Sequence, residues 1–378
     1  MRIALIHSYY SSAVPSGENI VVDLQAHALR AAGEDVLVVS RRTDDVMARR
    51  GAQARAALSV ATGRGPDPTA QLTAFKPDVV HVHNLFPNFG GAWLGHCTVP
   101  VVATLHNFRA FCSAGTLWRS GHDCEECLTG GSFRAVRHGC YRGSPLATMP
   151  LAIATRDRGR TNPVLRHAAA LIVMAPRSES TFVQMRPDLE DRLHVVPNFV
   201  PDPGGVTAPM PDAPWIFVGR LTEGKGIDRL IDRWPATERL IVVGSGPLED
   251  RLKSAAASKA IDFVGQVARD AVPPLLAQCR ALVFPSLWRE SAPAMTYVEA
   301  LAAGRPTLAI GTNAVADDVA ASGSGVVIAD VSLLVDGMAA ISARLLEASG
   351  AARRRYDARF SERAWLRQMS GIYESVVS

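Results

Sequence analysis

Three absences narrow the reading of this chain. No stretch reaches the roughly 20 consecutive apolar residues that a bilayer-spanning helix needs. The opening run, Met1-Arg-Ile-Ala-Leu-Ile-His7, ends too soon for a secretory leader and reads as a buried strand. No Asp-x-Asp triplet occurs in the 378 residues, so the carboxylate pair that often grips a divalent metal beside a phosphate is missing. Lysine is scarce: Lys76, Lys225, Lys253 and Lys259 stand against 36 arginines. So few lysines leave little choice for a Schiff base to a cofactor. The arginine bias itself points to a GC-rich bacterial genome rather than to a function. Strong charge is absent too: the formal net charge is +4, and no stripe interleaves basic with aromatic residues, which argues against nucleic acid as a partner. These absences predict a cytoplasmic protein.

What is present is globular. Hydrophobic residues make up 48% and charged residues 20%, the balance of a soluble fold, and the length exceeds one ordinary core, so two domains are expected. Charge is uneven, at +5 over residues 1–200 and −1 over residues 201–378. Seven arginines (134, 137, 142, 156, 158, 160 and 166) face the single acid Asp157. They form either a solvated face or a surface for anionic lipid or an acidic ligand, hence an expectation of peripheral membrane contact.

Apolar strand patterns alternate with helical ones almost throughout, which predicts an α/β class with parallel, doubly wound sheets. The first half reads as strands at Arg2–Ser8, Asp35–Ser40, Val79–His83, Val101–His106, Ala170–Ala175 and Leu193–Pro197, with a helix over Asn19–Ala32 closed by Gly33. After a breaker-rich linker (Pro197 to Pro214), strands follow at Trp215–Gly219, Leu240–Gly244, Ile261–Gly265, Ala281–Pro285, Pro306–Ile310 and Gly325–Ala329. We expect one domain over 1–200, with an insert at 107–145 and completion by the final helix 361–378, and a second over 201–360. Two such units would face each other across a cleft.

The stretch Glu290-Ser-Ala-Pro-Ala-Met-Thr-Tyr-Val-Glu299 places two carboxylates about the start of a helix, just beyond a strand. A carboxylate there accepts hydrogen bonds from neighbouring sugar hydroxyls, and the free N–H groups of a helix start favour an anion. Upstream, Val218-Gly219-Arg220-Leu-Thr-Glu-Gly-Lys225-Gly226 adds two cations after another strand. Arg supplies a planar fork and Lys a point charge, and together they can neutralise a diphosphate without a catalytic divalent metal. Hydroxyl and phosphate recognition together point to a nucleotide-sugar. Separately, Cys112, Cys124, Cys127 and Cys140 fall within 29 residues and include one Cys-x-x-Cys pair. Four soft ligands suit a structural zinc, with His122 or His138 as substitutes; free thiols and a disulfide are the alternatives. Cys97 and Cys279 read as ordinary buried thiols.

Over essentially its whole length the chain resembles glycosyltransferase family 4, retaining enzymes of the two-domain GT-B fold. The resemblance rests on Pro15-Ser16-Gly17-Glu18, Thr104-Leu-His106, Val218-Gly-Arg220 with Lys225-Gly226, Val243-Gly244-Ser-Gly246-Pro247, and the Glu290 to Glu299 stretch. It implies that Arg220 and Lys225 hold the donor diphosphate, that Glu290 lies near the donor sugar, and that Glu299 binds the ribose hydroxyls. His106 would end a strand and contact the donor sugar or, if protonated, its phosphate. Gly17, in the turn before the first helix, would let backbone approach the diphosphate. Gly219, Gly244, Gly246, Val264, Ser291, Ala294, Met295 and Thr296 would line the rest of the donor site. Two departures stand out. Eight residues rather than seven separate the two glutamates, with the extra one expected in the loop Ser291–Ala294, and Ser16-Gly17 replaces a glycine pair. Some family members carry a similar cysteine-rich insert after the histidine strand. The resemblance implies transfer of a sugar, from a UDP-sugar first and a GDP-sugar second, to a hydroxyl acceptor. A nucleotide-sugar epimerase, a phosphorylase and a catalytically inactive binding protein are the competing readings.

Overall fold

Continuous apolar runs make the strands here, because a parallel sheet covered on both faces exposes neither side of a strand to water. The computed structural model describes residues 1–12 and 16–378, so Pro15 of the first motif lies outside the described residues. The chain divides into two compact units. One comprises Met1–Arg119, Asp123–Pro197 and Leu366–Ser378; the other comprises Ser120–His122 and Asn198–Trp365.

The first unit holds β1 (Arg2–Tyr9), β2 (Asp35–Arg42), β3 (Val79–Asn84), β4 (Val101–Thr104), β5 (Ala170–Val173) and β6 (Leu193–Val195). They form one parallel sheet in the order β2-β1-β3-β4-β5-β6. Ile3, Ala4, Leu5 and Ile6 are wholly buried at its centre. The helix Gly17–Ala31 lays Val21, Val22, Ala26, Ala28 and Leu29 on the core and stops ahead of Gly33, whose φ of +90° a side chain would strain. Residues from the chain's far end complete this unit. Tyr373 is fully buried, and its hydroxyl meets His81 Nδ1 of β3 at 2.7 Å.

The second unit holds β7 (Trp215–Val218), β8 (Leu240–Val243), β9 (Ile261–Gly265), β10 (Ala281–Phe284), β11 (Thr307–Ile310) and β12 (Gly325–Ile328). Their order is β9-β8-β7-β10-β11-β12, again all parallel. Alternate residues of β7 feed different cores, as the two-residue period of a strand requires. Trp215 and Phe217 pack with Ile227, Leu230 and Leu240. Ile216 packs on the other face with Leu282, Tyr297 and Leu301. Both sheets are therefore α/β, parallel and Rossmann-like.

Arg305 is wholly buried in this unit, and its guanidinium is spent on three backbone carbonyls and one hydroxyl. It donates to Leu276 O (3.1 Å), Ala277 O (2.6 Å), Thr207 O (2.8 Å) and Thr207 Oγ1 (2.9 Å). Four bonds compensate for the burial of the charge and pin the breaker-rich linker to the domain.

Several strands are shorter than the sequence predicts. β4 stops at Thr104, which leaves His106 two residues beyond the strand rather than at its end. Gly17 is the first residue of its helix rather than part of the preceding turn. Both shifts reflect hydrogen bonding that apolar patterning does not register.

Candidate functional site

In the second sheet the winding direction reverses between the neighbours β7 and β10, and open α/β sheets bind ligands at such a point. The loop after β7 carries Arg220 and Lys225, and the loop after β10 carries Trp288 and Glu290. Glycine lets these loops touch. A Cβ on Gly226 would stand 2.1 Å from Pro285 O, and one on Gly224 would stand 1.8 Å from Trp288 Nε1. Leu287 N also donates to Gly224 O at 3.0 Å.

Both cations lie against one aromatic ring. The Arg220 Cζ is 5.5 Å and the Lys225 Nζ 4.9 Å from the Trp288 ring centroid, within cation–π range. Lys225 Nζ also donates to Glu290 Oε1 at 2.5 Å, and Ser286 Oγ donates to the same oxygen at 2.9 Å. Lys225 and Glu290 are largely enclosed, while Arg220 is exposed and able to follow a ligand. Glu290 turns through φ +49°, a left-handed conformation rare for a side-chain-bearing residue. The following helix begins at Met295, which leaves Ser291–Ala294 in the loop before it. No side chain caps that helix at Ala294, and its first turn contains Met295 and Thr296.

Glu299 lies one turn into the helix and is only 7% exposed. Arg269, from the turn after β9, approaches it at 3.3 Å. Burial pushes the Glu299 carboxyl up to about 7, with Arg269 pulling the other way.

Gly244 and Gly246 are explained first by packing. A Cβ on Gly244, at φ +130°, would fall 1.9 Å from Gly219 O, and one on Gly246 would fall 2.5 Å from Leu221 O. Val264 stands 47% exposed on the edge strand β9, followed by Gly265 at φ +78°.

The first sheet has its own reversal, between β1 and β3, and four imidazoles gather near it. His83 Nδ1 lies 3.1 Å from His106 Nε2, and their rings stack with centroids 5.4 Å apart. His81 and His83, two apart on β3 and therefore on one face, have centroids 4.1 Å apart. His81 Nε2 meets Thr104 Oγ1 at 2.8 Å, and His7 Nε2 meets Asn19 Oδ1 at 3.1 Å. Burial, reinforced by His7 and His81, pushes His106 down to about 3. His106 is thus held neutral and can exchange a hydrogen bond. Glu18, beside Gly17, is enclosed and pushed up to about 8 by burial, against the pull of Arg109 and Asn84.

Spacing alone foresaw neither Trp288 and Arg269 nor His83 and Glu18. Trp288 had a signal, an aromatic beside a strand-end carboxylate. Arg269 had none, because its partner is remote in sequence.

The cysteine insert corrects a further expectation. Cys112, Cys124, Cys127 and Cys140 are free, partly buried thiols. Among the described residues no three of His, Cys, Asp or Glu form a group that could hold a metal, so the expected zinc has no ligand set. Burial first, then the neighbouring thiols of Cys112, Cys140 and Cys124, push the Cys127 thiol up to about 11, which favours protonated sulfur. His138, the substitute ligand, is engaged with Glu126 at 2.8 Å, and Arg119 reaches the same carboxylate at 2.5 Å. His122 is exposed and meets Ser120 O at 3.2 Å. Cys279 is buried as expected, while Cys97 is only partly so. Among the described residues no helix is long and apolar enough to cross a membrane.

Comparison with known proteins places both halves. Residues 16–198 match the glycosyl transferase 4-like domain, and residues 214–347 match the glycosyl transferases group 1 family. A D-rhamnosyltransferase of Pseudomonas aeruginosa is 33% identical over 104 residues. That match covers 26% of this chain and only 27% of the relative's length. Sucrose-phosphate synthase from Thermosynechococcus elongatus shares the fold at a TM-score of 0.69 and 19% identity, covering 99% of this chain and 98% of its own. The Anabaena protein HepE, solved with UDP and glucose, aligns at 0.64 and 16%, covering 99% and 100%.

Proposed function

This chain carries a glycosyl transferase 4-like domain followed by a group 1 glycosyl transferase domain, as GT-B glycosyltransferases do, and we propose that it moves a sugar from a nucleotide-diphosphate sugar to a hydroxyl acceptor with retention of configuration. The observation that carries the reading is the pair of cations, Arg220 and Lys225, held against the Trp288 ring at the switch point of the second sheet. A departing nucleoside diphosphate gains negative charge as its bond to the sugar breaks, and groups preset to meet that charge lower the barrier.

In this reading the second unit holds the donor and the first the acceptor. Lys225, paired with Glu290 before the donor arrives, turns to the diphosphate beside the freer Arg220 fork. Glu290 accepts from a hydroxyl of the transferred sugar, and Glu299 accepts from the two ribose hydroxyls. The neutral His106 exchanges a hydrogen bond with the donor sugar. The leaving diphosphate takes the proton from the acceptor hydroxyl, so attack comes from the face the leaving group vacates. No divalent ion is required. UDP-sugars rank first and GDP-sugars second; the structural likeness to a protein solved with UDP and glucose supports that order.

The test is a panel of UDP-, GDP-, ADP- and dTDP-sugars read by thermal shift, since a ligand at 100 times its Kd stabilises by about 2.7 kcal/mol. Arg220→Ala and Lys225→Ala should each lower turnover by about 10²-fold or more, far more than either lowers fold stability. A protein that no nucleotide-sugar stabilises, or alanine variants as active as wild type, would remove the proposal.

A further inference from the structure

A carboxylate enclosed by a protein stays charged only with a positive partner, because burial otherwise drives it to take up a proton. Glu299 is almost fully buried on the helix Met295–Ala302, among Tyr297, Val298, Ala300 and Leu301, and that helix carries no cation of its own. Arg269 supplies the charge from another element, with Nη2 lying 3.3 Å from Glu299 Oε1. The local sequence fixes it there. β9 ends at Gly265, the turn Arg269–Ala271 follows, and the helix Val272–Ala277 opens on Pro273 and Pro274, whose rings set the backbone of its first turn. Val272 and Leu276 of that helix share one core cluster with Tyr297, Val298 and Leu301 of the Glu299 helix. Arg269 therefore stands just ahead of a segment that packing holds against the helix of its partner.

The other charges on elements packed around this helix are engaged elsewhere. Arg353 pairs with Asp202 and Asp357, Arg355 with Asp318, and Glu347 with Arg344. Arg359 lies in the field of Arg355 and Asp318, and Arg354 is exposed. The helix Val272–Ala277 and the strand β10 contain no charged residue, and Lys225 is bonded to Glu290. Among the described residues Arg269 is the charge that acts on Glu299. Its Nη2 makes no hydrogen bond, so it lends charge and leaves the acceptor sites of the carboxylate to a ligand's hydroxyls.

We propose that Arg269 is a positioning residue for nucleotide binding, its guanidinium keeping the Glu299 carboxylate charged and ready to accept the ribose hydroxyls from 3.3 Å away. This rests on the reading of Glu299 as the ribose ligand. In this role Arg269 touches neither ribose nor diphosphate and acts through Glu299. Burial raises the Glu299 carboxyl to about 7 even with Arg269 opposing it. Loss of that cation raises it further and shrinks the ionised fraction near neutral pH.

The experiment titrates UDP calorimetrically into the full-length protein from pH 5.5 to 9. Each affinity is divided by that of Glu299→Gln in the same buffer, which cancels the ionisation of UDP itself. The wild-type ratio should rise through a midpoint near 7. Arg269→Gln and Arg269→Met should each move that midpoint up by about one pH unit or more, weakening UDP about tenfold at pH 6 and converging on wild type near pH 9. Two neutral variants leave one to decide if the other folds poorly, and Arg269→Lys, which keeps the cation, should return the midpoint toward wild type. A purely structural role, or a direct contact with the nucleotide, would instead lower affinity by the same factor at every pH. That result, with the midpoint unmoved, overturns this inference and leaves Glu299 on the ribose. Failure of UDP to bind, or a wild type that matches Glu299→Gln at every pH, overturns the ribose reading and this inference with it.

Discussion

In the proposed role Glu299 accepts two ribose hydroxyls as a carboxylate, yet it is buried where ionisation is disfavoured. Its carboxyl, raised to about 7, places the change of state near neutral pH. Nucleotide affinity should therefore fall as pH drops through about 7, and Glu299→Gln should be weak and flat across that range. Isothermal titration of UDP between pH 5.5 and 8.5 checks this, and a pH-independent wild type would contradict it. Glu18 makes a complementary prediction about stability. Its folded value is raised above the ordinary 4.5 to about 8, so its contribution is complete below 4.5 and is lost as pH rises through about 8. Glu18→Gln, permanently neutral, should melt with wild type at pH 4 and above it at pH 9. Equal melting temperatures at both ends would show that Glu18 is not enclosed as described.

At the scale of elements, the strands were legible to within a few residues because parallel strands are written as uninterrupted apolar runs. The glycine positions were legible too, and packing gives Gly244 and Gly246 a reason of their own. Gly244 is required by Gly219 O before any nucleotide arrives, and Gly244→Ala should cost more than about 2 kcal/mol, measured by chemical denaturation. Arg305 was invisible as a structural residue. Its Gly-Arg-Pro setting reads as a loop, and only the folded chain shows its guanidinium bonded to Thr207 O of the linker and to Leu276 O. Arg305→Met should cost more than about 2 kcal/mol by stranding several carbonyls, and an unchanged denaturation midpoint would refute that role. The zinc expectation finds no support among the described residues. Cysteine spacing says which thiols can be neighbours, but not whether they converge as ligands, and the nearby His138 is engaged by Glu126. Trp288 and Arg269 escaped because each matters through a partner brought close by the fold rather than by sequence.

Across the whole molecule, the first unit is built from both ends of the chain. Tyr373 satisfies His81 Nδ1, so Tyr373→Phe should destabilise by about 1–3 kcal/mol by leaving that buried nitrogen unpaired. The arginine-rich stretch adds a surface property. Phe133, Leu146 and Met149 are exposed (53%, 87% and 39%) close in sequence to the exposed Arg134, Arg137 and Arg142. Apolar tips among cations favour an anionic bilayer surface, a reading that supports peripheral membrane contact. Co-sedimentation with phosphatidylglycerol vesicles but not phosphatidylcholine vesicles is the expected result, and equal recovery with both would discard it.

What unifies these levels is the proposal that side chains already positioned by the fold neutralise a pyrophosphate. The most direct measurement is the rate of UDP release from the best-stabilising UDP-sugar in a buffer stripped of metals with excess EDTA. An undiminished rate, falling about a hundredfold or more when Arg220 or Lys225 becomes alanine, is the predicted result. A rate that vanishes in EDTA and returns with added magnesium or manganese would contradict it.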